Sequence, residues 1–215
     1  MKAFFTRFLT VTGGLIFFAF GVVLTIRANI GFAPWDVFHV GLATTIGFSI
    51  GLASILVGLL IAGIALLLGE KLGLGTIMNM WLVGVFIDII FPHIPTAANT
   101  IIGIVMMFAG LFSISTGSYF YMKSAFGVGP RDSLMVALTR RTKLPVGLCR
   151  GIIELCATIA GWFLGGMVGF GTVIFVIAIG FCIQITFRIF RFDATAVKHE
   201  TLRDTYKALK KLSAT

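Results

Sequence analysis

The chain reads as an all-α, polytopic membrane protein with six transmembrane helices in two inverted three-helix repeats, each carrying a short proline-started half-helix. Three observations predict this. Hydrophobic residues make up 58% of the 215 positions and charged residues only 12%, at a mean hydropathy of +1.06, which leaves too little polar surface to cover a soluble globule. Six apolar runs are long enough to cross a bilayer core, which takes roughly 20 helical residues. Finally, a gapless shift of 96 residues lays segment 28–88 on segment 124–184 with 15 identities, the mark of an internal repeat.

The first run, 8–26, follows Lys2 and Arg7. It is too long for an ordinary signal-peptide core and no A-x-A cleavage pattern follows, so it is expected to stay as a span. Next comes "GFAPWD", Gly31–Asp36. Proline is favoured in the first turn of a helix, and an acidic residue two positions on sits beside the positive end of the helix dipole. A helix is therefore expected over 34–46, and its counterpart over 130–141 after "GVGPRD". At about 1.5 Å per residue each rises only about 20 Å, too short to cross. The remaining spans are expected at 50–69, 74–91, 97–120, 145–164 and 171–187.

Matched glycines and prolines make the repeat informative, because they record backbone geometry rather than greasy composition. Gly31/Gly127, Pro34/Pro130, Asp36/Asp132, Gly51/Gly147, Gly69/Gly165, Gly73/Gly169, Gly75/Gly171, Thr76/Thr172 and Gly84/Gly180 all coincide, and the register runs back to Gly14/Gly110 and Gly21/Gly117. The expected organisation is a first membrane repeat over 1–92, a second over 93–190 and a basic tail over 191–215. Three crossings per half is an odd number, so the second half enters from the opposite side, as in many transporters.

Charge agrees with this arrangement. With both termini inside, Lys2, Arg7, Lys71, Lys123, Arg140, Arg141, Lys143, Arg188 and Arg191 are cytoplasmic, and Arg27 lies outside. An eight-span rival, in which the short helices also cross, moves Lys71, Lys123 and Arg131 outward, against the positive-inside tendency. The net charge of +9 belongs to these loops and to the tail, where anionic headgroups attract it. Without a basic stripe and aromatic platform it does not indicate nucleic acid. In the tail, Leu202, Tyr206 and Leu209 recur at helical spacing among Lys198, Arg203, Lys207, Lys210 and Lys211. This pattern fits either an amphipathic helix on the cytoplasmic leaflet or a solvated end. Cys149, Cys156 and Cys182 lie in apolar stretches and read as small buried residues rather than a disulfide framework or a metal site.

The candidate binding residues are Asp36, Asp132, Glu154, Arg150, Asn79 and Arg131, with Gly31, Pro34, Gly127 and Pro130 as the structural motif. If the linkers run inward and the short helices back out, Asp36 and Asp132 meet near the midplane. Irregular backbone is tolerable there only when protein buries it or it lines a polar cavity. The alternative is that both aspartates cap helices lying flat at the interfaces, with Trp35 and Arg131 as headgroup anchors. Arg150 and Glu154, four apart on the fifth span, either form an intrahelical pair or mark a site, since ionisable groups at that depth are costly. Asp88 and its match Gln184 are read as solvated or cavity-lining, His39 and His93 as interfacial. The spacing Gly161-x3-Gly165-x3-Gly169 permits close helix approach.

The G-x-x-P-x-D element after a first span, its duplication, and the G-x-G-T start of the third span in each half resemble the YczE/YyaS/YitT-type bacterial membrane proteins, the YczE branch in particular. About residues 5–190 follow that pattern. The resemblance implies a bacterial inner-membrane protein and carries no established activity. Two functions are open: a small transporter or permease, with the aspartates binding a cation, a proton or a polar solute, and a non-transporting accessory protein serving a neighbouring membrane or biosynthetic system. No enzyme motif is present, neither H-E-x-x-H, nor a nucleophile elbow, nor a phosphate-binding glycine loop, and no cofactor is called for. The expected partners are the bilayer and an unidentified small solute, with self-association left open.

Overall fold

A computed structural model describes residues 2–213, of which the side chains of Lys2, Ala3, Thr195, Leu209, Lys211, Leu212 and Ser213 lie outside the described set. Among the described residues the regular structure is all helical, with α-helices in the order α1 (Lys2–Arg27), α2 (Pro34–Ile46), α3 (Ile50–Leu67), α4 (Leu74–Ile90), α5 (Thr100–Lys123), α6 (Pro130–Thr142), α7 (Val146–Phe163), α8 (Phe170–Ile189) and α9 (Leu202–Ser213). Six of these, α1, α3, α4, α5, α7 and α8, are long and apolar enough to cross a membrane. The expected spans are all present, with shifted ends. The fourth run starts three residues late because Asn99 Oδ1 accepts the Ile102 N–H at 2.9 Å, a helix cap that fixes the start at Thr100.

The repeat carries through to the backbone. Arg191 (49°) apart, positive φ among the described residues occurs in pairs related by the same shift: Asn29 and Ala125 (53° and 58°), Gly31 and Gly127 (122° and 126°), Gly47 and Lys143 (81° and 59°), Gly69 and Gly165 (92° and 90°). Side chains resist this region, glycine apart, so the same strained turns in both halves mean the same chain path. Thr76 and Thr172 each accept the N–H of the glycine three residues back, both at 3.2 Å.

The halves interlock. α1 crosses α5 antiparallel: Gly14 faces Gly117 and Gly21 faces Gly110, so close that an added methyl would meet the opposite backbone. Small residues at a crossing let two helices gain dispersion contacts that lipid cannot match. Each linker then packs against the other half. Gly171 N–H donates to Ile30 O at 2.8 Å, and Gly75 N–H to Phe126 O at 2.7 Å. Likewise, α2 lies on α7 and α6 on α3. Exchanging the halves converts each of these contacts into its mate.

Two polar ends bound the bundle. At one, Arg7 donates to Ser124 O at 2.8 Å and pairs with Glu200 at 2.7 Å, Leu202 N–H donates to Leu72 O, and Arg140 meets Glu70 at 3.1 Å. At the other, Arg27 donates to Phe91 O at 2.8 Å and to Thr96 at 3.0 Å. α6 therefore starts inside the bundle and returns to the end that α5 left, and α2 does the same at the Arg27 end. Both are re-entrant, which corrects the flat, interfacial alternative.

One contact breaks the symmetry. α3 packs along α4, with Gly51 and Gly84 buried against each other. Their counterparts Gly147 and Gly180 are exposed, and a methyl at either would touch nothing; α7 and α8 stand apart. Cys149 and Cys182 are buried, but Cys156, on the open side of α7, is exposed, contrary to expectation. The tail crosses beneath the Arg7 end, and α9 is started by Thr201, whose N–H and hydroxyl both donate to Asp204 at 3.0 and 2.7 Å.

Candidate substrate site

The two re-entrant helices point their first turns at one cavity of about 500 Å³. Proline begins each helix, so the chain turns sharply from the linker without leaving an orphaned N–H. Pro34, Asp36, Pro130, Arg131, Asp132, Arg150, Glu154 and Asn79 all line the cavity. The six candidate binding residues, scattered over four helices, are thus brought together at one place.

The geometry from α2 is specific. Arg131 lies over the Trp35 ring, its guanidinium carbon 4.7 Å from the centroid, and its Nη2 is 3.5 Å from His39 Nε2. An arginine only donates, so Nε2 is the acceptor and the imidazole proton sits on Nδ1. That atom is 3.6 Å from Asp36 Oδ1. Arg131, His39 and Asp36 therefore form a chain across the two half-helices, with Asp36 and His39 almost fully buried, 3% and 2% exposed. Stacking and charge compensation make a cation tolerable at this depth, so Arg131 is no headgroup anchor.

The opposite wall differs. Asp132 is exposed to the cavity itself. On α7, Arg150 Nε donates to Glu154 at 2.9 Å. Ser54, Ser118 and Tyr121 contribute hydroxyls, and the Tyr121 hydroxyl is buried with no hydrogen-bond partner among the described residues. A buried polar group left unpaired costs about 1–3 kcal/mol, which a ligand or water in the cavity would relieve.

Other expectations change. Neither aspartate makes a side-chain hydrogen bond at its own helix start, so hydrogen-bonded capping does not account for them. His39 is not interfacial; the signal missed was its position three residues after Asp36, one helical turn away on the same face. His93 is exposed and 2.9 Å from Ile89 O. Asp88 does not line the cavity: half-buried near the Arg27 end, it accepts the Ser49 hydroxyl at 2.6 Å and the Gly51 N–H at 2.8 Å, fastening α3 to α4. Gln184 is exposed and lies outside the cavity lining.

Comparison with known proteins follows the same outline. A family model described as "Family of unknown function (DUF6198)" matches residues 5–188. The chain belongs to the DUF6198 family. It is 39% identical to the uncharacterised membrane protein YczE of Bacillus subtilis over 176 residues, 80% of this chain and 81% of that one. An uncharacterised protein of Haemophilus influenzae is 30% identical over 75% of this chain and 74% of its own. YyaS of Bacillus subtilis, also uncharacterised, is 24% identical over 80% and 88%. No solved structure matches. The DUF6198 match spans both half-helices and every cavity-lining residue named above.

Proposed function

We propose that this DUF6198 protein is a transporter or permease for a small polar solute, working in the bacterial inner membrane with both termini in the cytoplasm and its two halves as inverted repeats. The single observation that carries this reading is the cavity where two half-helix starts face each other. Discontinuous helices meeting at mid-bundle are how many transporters build a solute site, with backbone dipoles and unwound segments supplying the polar contacts. The carboxylates of Asp36, Asp132 and Glu154, the guanidinium groups of Arg131 and Arg150, and the unpaired Tyr121 hydroxyl offer a solute both signs of charge. The cations gathered at the Arg7 end support placing that end inside.

Reconstitution into sealed proteoliposomes, with flux profiled across a broad panel of charged and polar metabolites, tests the reading. Asp36→Asn keeps the side-chain shape and costs the helix start about 1 kcal/mol or less, so the variant should insert and purify normally while flux disappears; Asp132→Asn should behave alike. Wild-type flux that both variants retain would remove the site, and absence of flux for the whole panel would favour an accessory role.

A further inference from the structure

We infer that the protein switches state by exchanging one helix seam for its counterpart: α7 closes on α8 through Gly147 and Gly180 as α3 parts from α4 at Gly51 and Gly84. This gives the transport reading its moving part and rests on that reading for its purpose.

The inference starts from the broken symmetry. Chain path, turns and linker contacts match between the halves, yet the α3–α4 seam is shut and the α7–α8 seam is open. The residues that shut the first seam have equivalents in the second. Gly51 and Gly84 correspond to Gly147 and Gly180, and at both of the latter the space for a close approach is empty. Asp88, which fastens the closed seam by accepting the Gly51 N–H, corresponds to Gln184, an exposed side chain whose amide oxygen can accept the Gly147 N–H in the same way.

The cavity records the same asymmetry. On α8 it extends to Ile183 and Phe187. Their equivalents, Ile87 on α4 and Phe91 just after it, are outside the cavity, and Ile87 is only 1% exposed. The site is thus open along the α7–α8 side, toward the Arg7 end, and shut at the Arg27 end by Asp88. Two halves with one backbone design have two arrangements of near-equal packing, which is the requirement for a bistable element. Exchanging their conformations moves the opening to the other face while the facing half-helix starts stay in place. Glu154 stands where the first half has Gly58, beside Met80, so closure of α7 on α8 pinches at the Gly147 end and leaves the Arg150–Glu154 pair inside the cavity.

Spin labels test the exchange without any solute. With Cys149, Cys156 and Cys182 replaced by alanine, label pairs at the equivalent exposed positions Leu52/Ile89 and Leu148/Ile185 report the two seams by double electron–electron resonance in lipid nanodiscs. Asp88→Ala, which removes the fastening, should lengthen the Leu52/Ile89 distance and shorten the Leu148/Ile185 distance until the pairs have exchanged values. At exposed Gly180 an added Cβ meets nothing within 4 Å, so Gly180→Leu should fold, and in combination with Asp88→Ala it should abolish the short Leu148/Ile185 population. A Leu148/Ile185 distance that stays constant through Asp88→Ala overturns the inference. Flux without distance exchange would also sink it and leave transport standing, whereas exchange without flux for any solute would leave the seam switch and sink the transport reading.

Discussion

His39 shows how a single position changes the meaning of its neighbours. Alone on an apolar stretch it reads as an interfacial residue; between Asp36 and Arg131 it becomes the link joining the two half-helix starts, and the cavity acquires a polar floor. Asp36 and Asp132 were legible because the repeat marked them twice, whereas His39 and Trp35 have no identical mates, Met135 and Arg131 standing at those places. A second histidine behaves differently. His199 lies in the tail beneath the Arg7 end, its Nδ1 buried without a hydrogen-bond partner among the described residues. Burial pushes the imidazole below its ordinary value, against the opposing pull of the Asp132 charge. Because the docked tail favours the neutral ring, its hold is complete above the free-histidine value of about 6.5 and is lost as pH falls from there toward the lowered value. Limited proteolysis of the tail should therefore accelerate as pH drops from 7.5 to 5.5, about the range in which histidine titrates. The variant His199→Phe, which cannot charge, should show a flat profile; an unchanged pH dependence in that variant would overturn the role given to His199.

Helices and their crossings obey spacing rules that a sequence exposes well. The half-helices were legible from P-x-D; the α1–α5 crossing was not read, although its glycines, seven apart in both partners, carried a signal, because backbone contact tolerates only the smallest residue. Gly21→Val at this crossing should destabilise the protein by about 1–3 kcal/mol through overpacking, since the added carbon would meet the Gly110 carbonyl and Ile114. Gly13→Ala, one residue from the seam glycine Gly14, has nothing within 4 Å of the added methyl and should stabilise α1 by up to about 1 kcal/mol through helix propensity. Unfolding of the two variants in detergent, followed by circular dichroism, separates a seam from mere helix preference: equal effects at both positions would deny the crossing its special role. Not legible was which α-helix pairs with which. The sequence marks Gly51, Gly84, Gly147 and Gly180 alike, yet only the first two touch, since apolar helices look equivalent when lipid and protein are equally good neighbours.

For the molecule as a whole, the six spans and the repeat were readable because membrane insertion demands long apolar runs and the repeat keeps its glycines; the cavity was not, because its lining comes from eight helices, α1 to α8, that only three-dimensional packing gathers. The proposed orientation rests on charge. With Arg7, Lys71 and the tail inside, a cysteine replacing the exposed His93 in a cysteine-free background should react with a membrane-impermeant thiol reagent added outside, and one replacing the exposed Lys71 should not. The reverse labelling would turn the molecule over. The interlocked linkers bear finally on how the chain is made. α2 leaves the ribosome early, but the surface it needs is α7, and Gly31 needs Gly169, both of which are synthesised long afterwards. Until then α2 has only its own half to pack on and lacks the α7 face, and the nascent first half must wait in the bilayer with that side unsheltered. Assembly consequently finishes from the C-terminal half backward, and any delay in synthesising that half lengthens the time the unfinished helix stands exposed to lipid.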